Sequence, residues 1–224
     1  MRGRLALPPL LLLIGLLGCP ATETRVIQDL PEPIVHTKQR PPSQPPPVEK
    51  PPTVSGTHKT PPGWIPKRGI SPRWKVIVIH HSATPTGGAG QFDDAHRAKG
   101  WDELGYHFVI GNGTDTRDGA IEVGSRWPKQ KHGAHCKVPG NYYNEHGIGI
   151  CLVGNFEKTK PSARQMASLA RVVAFLCKEC KIPLARVTTH QDVTGKTACP
   201  GRNFPLAALK RSVSSAAPEF ASSH

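Results

Sequence analysis

The sequence predicts an α/β fold, a single domain with a central mixed β-sheet flanked by helices. Two apolar runs and one helix predict it. Lys75 to His81 (KVIVIHH) is a continuous, largely β-branched run of the kind that fills a strand buried on both faces. Ile148 to Val153 is a second buried strand. Beyond it, Ser162 and Gln165 form a capping box, and Met166, Leu169, Ala170, Val173, Leu176, Cys177 and Cys180 recur at helical spacing on one face. Strands alternating with helices pack as layers around one core.

The other elements follow in chain order. Gln91 to Lys99 reads as a short helix closed by Gly100. Tyr106 to Ile110 and Ala120 to Val123 read as a hairpin, with a connecting loop around Asp118-Gly119 that is longer than a tight turn. Val187 to His190 reads as a strand, Pro205 to Val213 as a final short helix, and residues 214–224 as a frayed tail. No internal repeat is present.

Ahead of this domain, which spans 63–213, the composition changes. Of 24 prolines, 12 fall between positions 20 and 62, and a segment such as PPSQPPPVEKPP cannot bury a core and favours extended polyproline geometry. Residues 19–62 read as a tether, able to span at most roughly 130 Å at ~3.1 Å per residue. A Pro-rich ligand for another protein's groove is the competing reading. Arg2 and Arg4 precede an apolar run from Leu5 to Gly18, shorter than the ~20 residues of a spanning helix, so residues 1–18 read as a secretory signal. The run ends Leu16-Leu17-Gly18-Cys19, which resembles the bacterial lipobox. That resemblance implies an exported protein whose N-terminal Cys19 carries a membrane-anchoring lipid in the bacterial cell envelope, facing the periplasm. Plain secretory cleavage near Ala21 is the alternative.

Three residues stand out for chemistry: His80 at the end of one strand, His190 at the end of another, and Cys199 in a Gly/Pro loop. Two imidazoles and a thiolate suit zinc, and three protein ligands with a fourth position open to water is the arrangement of catalytic zinc. Spacing alone does not establish it, because these three form no compact CxxC or HExxH pattern. His80 and His81 are adjacent on a strand, so their side chains leave opposite faces and only one can enter a shared site. Cys199 reads equally well as a small buried apolar residue.

Four motifs in register carry a resemblance: IHHSAT (79–84), GWDELGYHF (100–108), NEHGIGICLVGNF (144–156) and THQDVTGKTACPG (189–201). The chain resembles the zinc-dependent N-acetylmuramoyl-L-alanine amidase superfamily of phage lysozyme-type amidases and peptidoglycan recognition proteins, over about residues 73–210. The resemblance implies that His80, rather than His81, joins His190 and Cys199 as a zinc ligand. It implies that Tyr106 lies beside the metal-bound water and that Thr197 is the polarising group, with Lys196 a substitute if the loop bends differently. His135 and Asn144 match positions that line the substrate groove. The glutamate that one branch carries in its IGIE strand is replaced here by Cys151, which throws more weight on Tyr106 and the metal. Recognition members that lack the third ligand bind peptidoglycan without cutting it, and Cys199 is present, so the resemblance implies catalysis. The implied reaction is hydrolysis of the amide between the lactyl group of N-acetylmuramic acid and L-alanine by zinc-activated water.

Independently of the family, a Zn-bound hydroxide, an oxyanion held by metal and a hydroxyl such as Thr197, and a protonated phenol at Tyr106 make a workable amide hydrolysis. With an ordinary pKa near 10, Tyr106 suits positioning better than base catalysis. Cys177 and Cys180 read as core thiols rather than a disulfide, because Cβ atoms i,i+3 on a helix lie about 5–6 Å apart. Cys151 reads as strand packing and Cys136 as a residue of the groove rim. Residues 63–224 hold 22 Lys and Arg against 12 Asp and Glu, an attraction to something anionic. Export and the lack of a recognisable nucleic-acid motif argue against nucleic acid and for cell-wall polymers, peptidoglycan or muropeptides, or for acidic lipid headgroups, with a solvated basic surface that aids solubility as the alternative. Two other functions stay open: a non-catalytic peptidoglycan-binding module, and a cysteine hydrolase using Cys199 or Cys151.

Overall fold

The computed structural model describes residues 60–221, with side chains through residue 215. The expected signal over 1–18, the expected lipid site at Cys19 and all but the end of the expected 19–62 tether lie outside the described residues. Five strands form one sheet: β1 (Val76–His81), β2 (Phe108–Ile110), β3 (Ile121–Val123), β4 (Gly147–Leu152) and β5 (Val187–Thr189). Their order is β3-β2-β4-β1-β5. β1 runs parallel to β4 and to β5, β2 runs parallel to β4, and only β3 is antiparallel, to β2. The sheet is therefore mixed, with the predicted strand β1 at its interior.

Register assigns each face of the sheet a job. Ile77 pairs with Ile148 and Val187, and Ile79 with Ile150, so these side chains share one face. They are fully buried against α3 (Ala163–Glu179) and α5 (Leu206–Ala221) through Leu169, Val173, Leu176 and Leu209. Burial on this scale stabilises by roughly 1.5–3 kcal/mol per large aliphatic side chain. The opposite face carries Val76, Val78 and His80 from β1, aligned with Gly147, Gly149 and Cys151 of β4.

α3 begins as its sequence dictates: the Ser162 hydroxyl accepts from the Gln165 N–H, and the Gln165 side chain accepts from the Ser162 N–H. Cys177 and Cys180 are free, partly buried and packed on the core. The start of the domain is pinned by Trp64, whose ring meets Phe175 edge to face at 5.0 Å and whose carbonyl accepts from Trp127 Nε1 at 2.7 Å.

Several boundaries differ from the sequence reading, and β2 begins at Phe108 rather than Tyr106. α1 (Ala89–Ala98) starts earlier than Gln91, with Gly88 as its cap. His190 does not end β5 but is the first residue of α4 (His190–Thr194), because the Thr189 hydroxyl accepts from the Asp192 N–H and caps a helical turn there. α5 continues through Ala221, well past Val213. α2 (Tyr142–Glu145) was not anticipated.

Candidate metal centre and active site

The site lies at the C-terminal edge of the parallel strands, on the face that α3 does not cover. His80 is the fifth residue of β1, aligned with Cys151 on β4. On the other side β5 keeps register with β1 up to Thr189, and the next residue is His190. Pairing thus brings two histidines from distant parts of the chain side by side, with ring centroids 4.6 Å apart. Cys199 is carried there by the loop after α4, tied back by its carbonyl, which accepts from the Gln191 N–H at 2.7 Å. The peptide bond from Cys199 to Pro200 is cis.

Ligand atoms of His80, His190 and Cys199 all lie within 4.8 Å of one another. The Cys199 sulfur is 3.7 Å from His80 Nδ1 and accepts from the backbone N–H of His81 at 3.3 Å. Burial holds His80 well below the ordinary histidine pKa and lowers His190 to about 4, so both rings present lone pairs at neutral pH. Two neutral imidazoles and a cysteine sulfur fit a divalent metal such as zinc. Among the described residues no fourth His, Cys, Asp or Glu joins this group. A second donor group, His80, His135 and Cys136, shares His80.

His81 turns to the other face, where its Nδ1 accepts from the Phe156 N–H at 3.1 Å. His135, expected to line the groove, is buried on the sheet, its Nδ1 3.1 Å from His80 Nε2 and its Nε2 3.3 Å from the Gly147 carbonyl. It lies flat because β4 has no side chain beneath it: a Cβ on Gly149 would sit 2.5 Å from the ring. Asn144 is likewise occupied. Its Oδ1 accepts from the N–H groups of His135 and Cys136 at 2.8 and 2.9 Å, and its Nδ2 donates to the Cys136 carbonyl at 2.6 Å.

The Tyr106 ring lies 5.2 Å from that of His80. Burial, then the neighbouring thiols Cys151 and Cys199, push its phenol well above 10. Cys151 is fully buried, and burial raises its thiol well above the ordinary range. Thr197 is partly exposed, and its hydroxyl oxygen accepts from the Cys199 N–H at 3.2 Å, which leaves the hydroxyl proton free to point elsewhere. Lys196 is exposed.

Two supporting residues were not singled out by the sequence. His107 accepts from the Gly149 N–H at Nδ1 (3.0 Å) and reaches the Lys131 carbonyl with Nε2 (3.0 Å), tying the segment entering β2 to β4. Arg126, 1% exposed, donates to the carbonyls of Leu104 at 2.6 Å and His132 at 2.8 Å and pairs with Asp102, which braces the loop leading to Tyr106. The adjacent histidine in the GYHF motif was the only available hint of the first.

Comparisons with known proteins converge on one family. A family profile described as N-acetylmuramoyl-L-alanine amidase matches residues 71–202. The endolysin of Klebsiella phage KP32 is 33% identical over 130 residues, covering 55% of this chain and 78% of that protein. The endolysin of Escherichia phage T7 is 35% identical over 133 residues, covering 56% and 79%. Among solved structures, the N-acetylmuramoyl-L-alanine amidase LysC from Clostridium intestinale superposes with a TM-score of 0.54 at 31% identity, covering 72% of this chain and 95% of that one.

Proposed function

Because the chain belongs to the N-acetylmuramoyl-L-alanine amidase family, we propose that it hydrolyses the amide joining the N-acetylmuramic acid lactyl group to L-alanine in peptidoglycan, with zinc held by His80, His190 and Cys199. The observation that carries this reading is the convergence of those three donors, within 4.8 Å, at the open edge of the sheet. When bound, zinc polarises the scissile carbonyl and lowers the pKa of water toward 7.

The chain's own groups do the rest. The His81 backbone N–H holds the Cys199 sulfur in place at the end of β1. Burial keeps Tyr106 protonated, so its phenol orients the attacking water rather than acting as its general base, and the proton that water loses ends on the leaving amine nitrogen. The Thr197 hydroxyl, its oxygen engaged by the Cys199 N–H, donates its proton to the oxygen that becomes negative as the carbonyl is attacked.

Incubating purified wall with zinc-loaded protein should release free stem peptide and leave peptide-free glycan, and chelation should stop it. Intact muropeptides after that digest would remove the assignment. Product formation that survives chelation and ends only on thiol alkylation would instead favour a cysteine nucleophile.

Export and anchoring complete the proposal: a lipid on Cys19 and a Pro-rich tether hold the amidase in the bacterial envelope, facing the periplasm, near its substrate. The basic start, the apolar run and the lipobox-like Leu16-Leu17-Gly18-Cys19 support it. Cys19→Ala should move the protein from the membrane fraction to the soluble one.

A further inference from the structure

We infer that His135 is a positioning residue for His80: it fixes which ring nitrogen of that residue faces the cleft. The inference rests on the zinc reading above. A neutral imidazole has one N–H and one lone pair, and only the lone pair can bind a metal. His135 Nε2 lies 3.3 Å from the Gly147 carbonyl oxygen, which can only accept, so Nε2 carries the hydrogen. His135 Nδ1 is then the acceptor, and it faces His80 Nε2 at 3.1 Å, which must carry the hydrogen of that ring. What remains on His80 is the lone pair of Nδ1, the nitrogen 3.7 Å from the Cys199 sulfur. A strand carbonyl, passed through two rings, thereby selects the metal-binding tautomer.

The surroundings make this arrangement hard to change. Gly149 and Gly133 both approach the His135 ring so closely that a Cβ on either would collide with it. Asn144 holds the main chain of His135 and Cys136 through three hydrogen bonds. The same chain of protons settles the choice between the two donor groups that share His80. With Nε2 protonated, His80 has nothing to offer a metal on the side of His135 and Cys136, and its lone pair belongs to the group with His190 and Cys199. His135 therefore acts through His80 from beneath the groove.

The test is a long-range ¹H–¹⁵N correlation of the histidine rings in the full-length protein at neutral pH, with and without zinc. We expect Nε2–H on both His80 and His135 in the metal-free protein, and a zinc-induced shift at His80 Nδ1. A hydrogen on His80 Nδ1 in the metal-free state, or zinc at His80 Nε2, would overturn the inference, and this measurement requires no variant to fold. Zinc affinity, read by competition with a chromophoric chelator, supplies the second arm. His135→Ala removes the acceptor and should weaken zinc about 10–100-fold. His135→Asn can place an amide oxygen near the acceptor position and should recover most of that loss. Equal zinc affinity in wild type and His135→Ala, or equal losses in the two variants, would reduce His135 to packing. If the wild-type protein itself takes up no zinc, the zinc reading fails instead, so the two failures are distinguishable.

Discussion

Thr197 is the residue with the least margin in the proposed chemistry. Its oxygen is already engaged by the Cys199 N–H, so only its proton is left for the developing oxyanion. Thr197→Val should therefore lower kcat by about 10²-fold, ~3 kcal/mol, while Thr197→Ser keeps most of the activity, both read on muropeptide substrates. Tyr106→Phe removes the group that orients the water yet leaves all three metal donors in place, so kcat should fall with zinc stoichiometry unchanged. The three candidate donors stand out by residue type and placement, whereas Tyr106 and Thr197 are singled out only through the family resemblance of their motifs. His135 and Asn144 could be named but not placed. What buries them is the missing side chain of Gly149 and a main-chain turn at residues 135–136, and neither leaves a periodic trace in the sequence.

Elements explain how such a site stays in register. His107 is fully buried, and burial is the main reason its pKa falls to about 4. The unfolded chain binds a proton near 6.5, so the neutral ring favours the fold above that pH, and the advantage is lost as pH falls from about 6.5 toward about 4. One such group contributes ~3 kcal/mol of this slope. Urea unfolding of the metal-free protein should show stability falling across that window, and His107→Asn should flatten the curve. Gly149→Ala places a methyl against the His135 ring and should destabilise by about 1–3 kcal/mol in the same assay, with zinc binding weakened alongside. β1, β4 and α3 were legible because each is long enough to show its period. α2 and α4 span too few residues for periodicity to speak, and α4 rests on a single cap from Thr189. Gly88 has no side chain to signal the start of α1.

Across the whole molecule, 29 Lys and Arg against 16 Asp and Glu give a formal charge of +13. Attraction of that kind is screened over roughly 8 Å at physiological ionic strength. Turnover of anionic wall should fall between low and high salt, while turnover of a small uncharged muropeptide analogue holds steady, and equal salt responses would confine the charge to solubility. Fold class was legible at this scale because strands and helices alternate along the chain, whereas strand order was not, since parallel pairing leaves no local turn to read. That order has a consequence for synthesis. β1 is made early, yet its two neighbours are β4 and β5, and the donors His190 and Cys199 come later still. On the ribosome the first ligand must wait, unpaired, for nearly the whole domain to emerge. A nascent or truncated chain ending before residue 190 holds one of the three donors, so the capacity to cut the wall arrives only once residue 199 has been made.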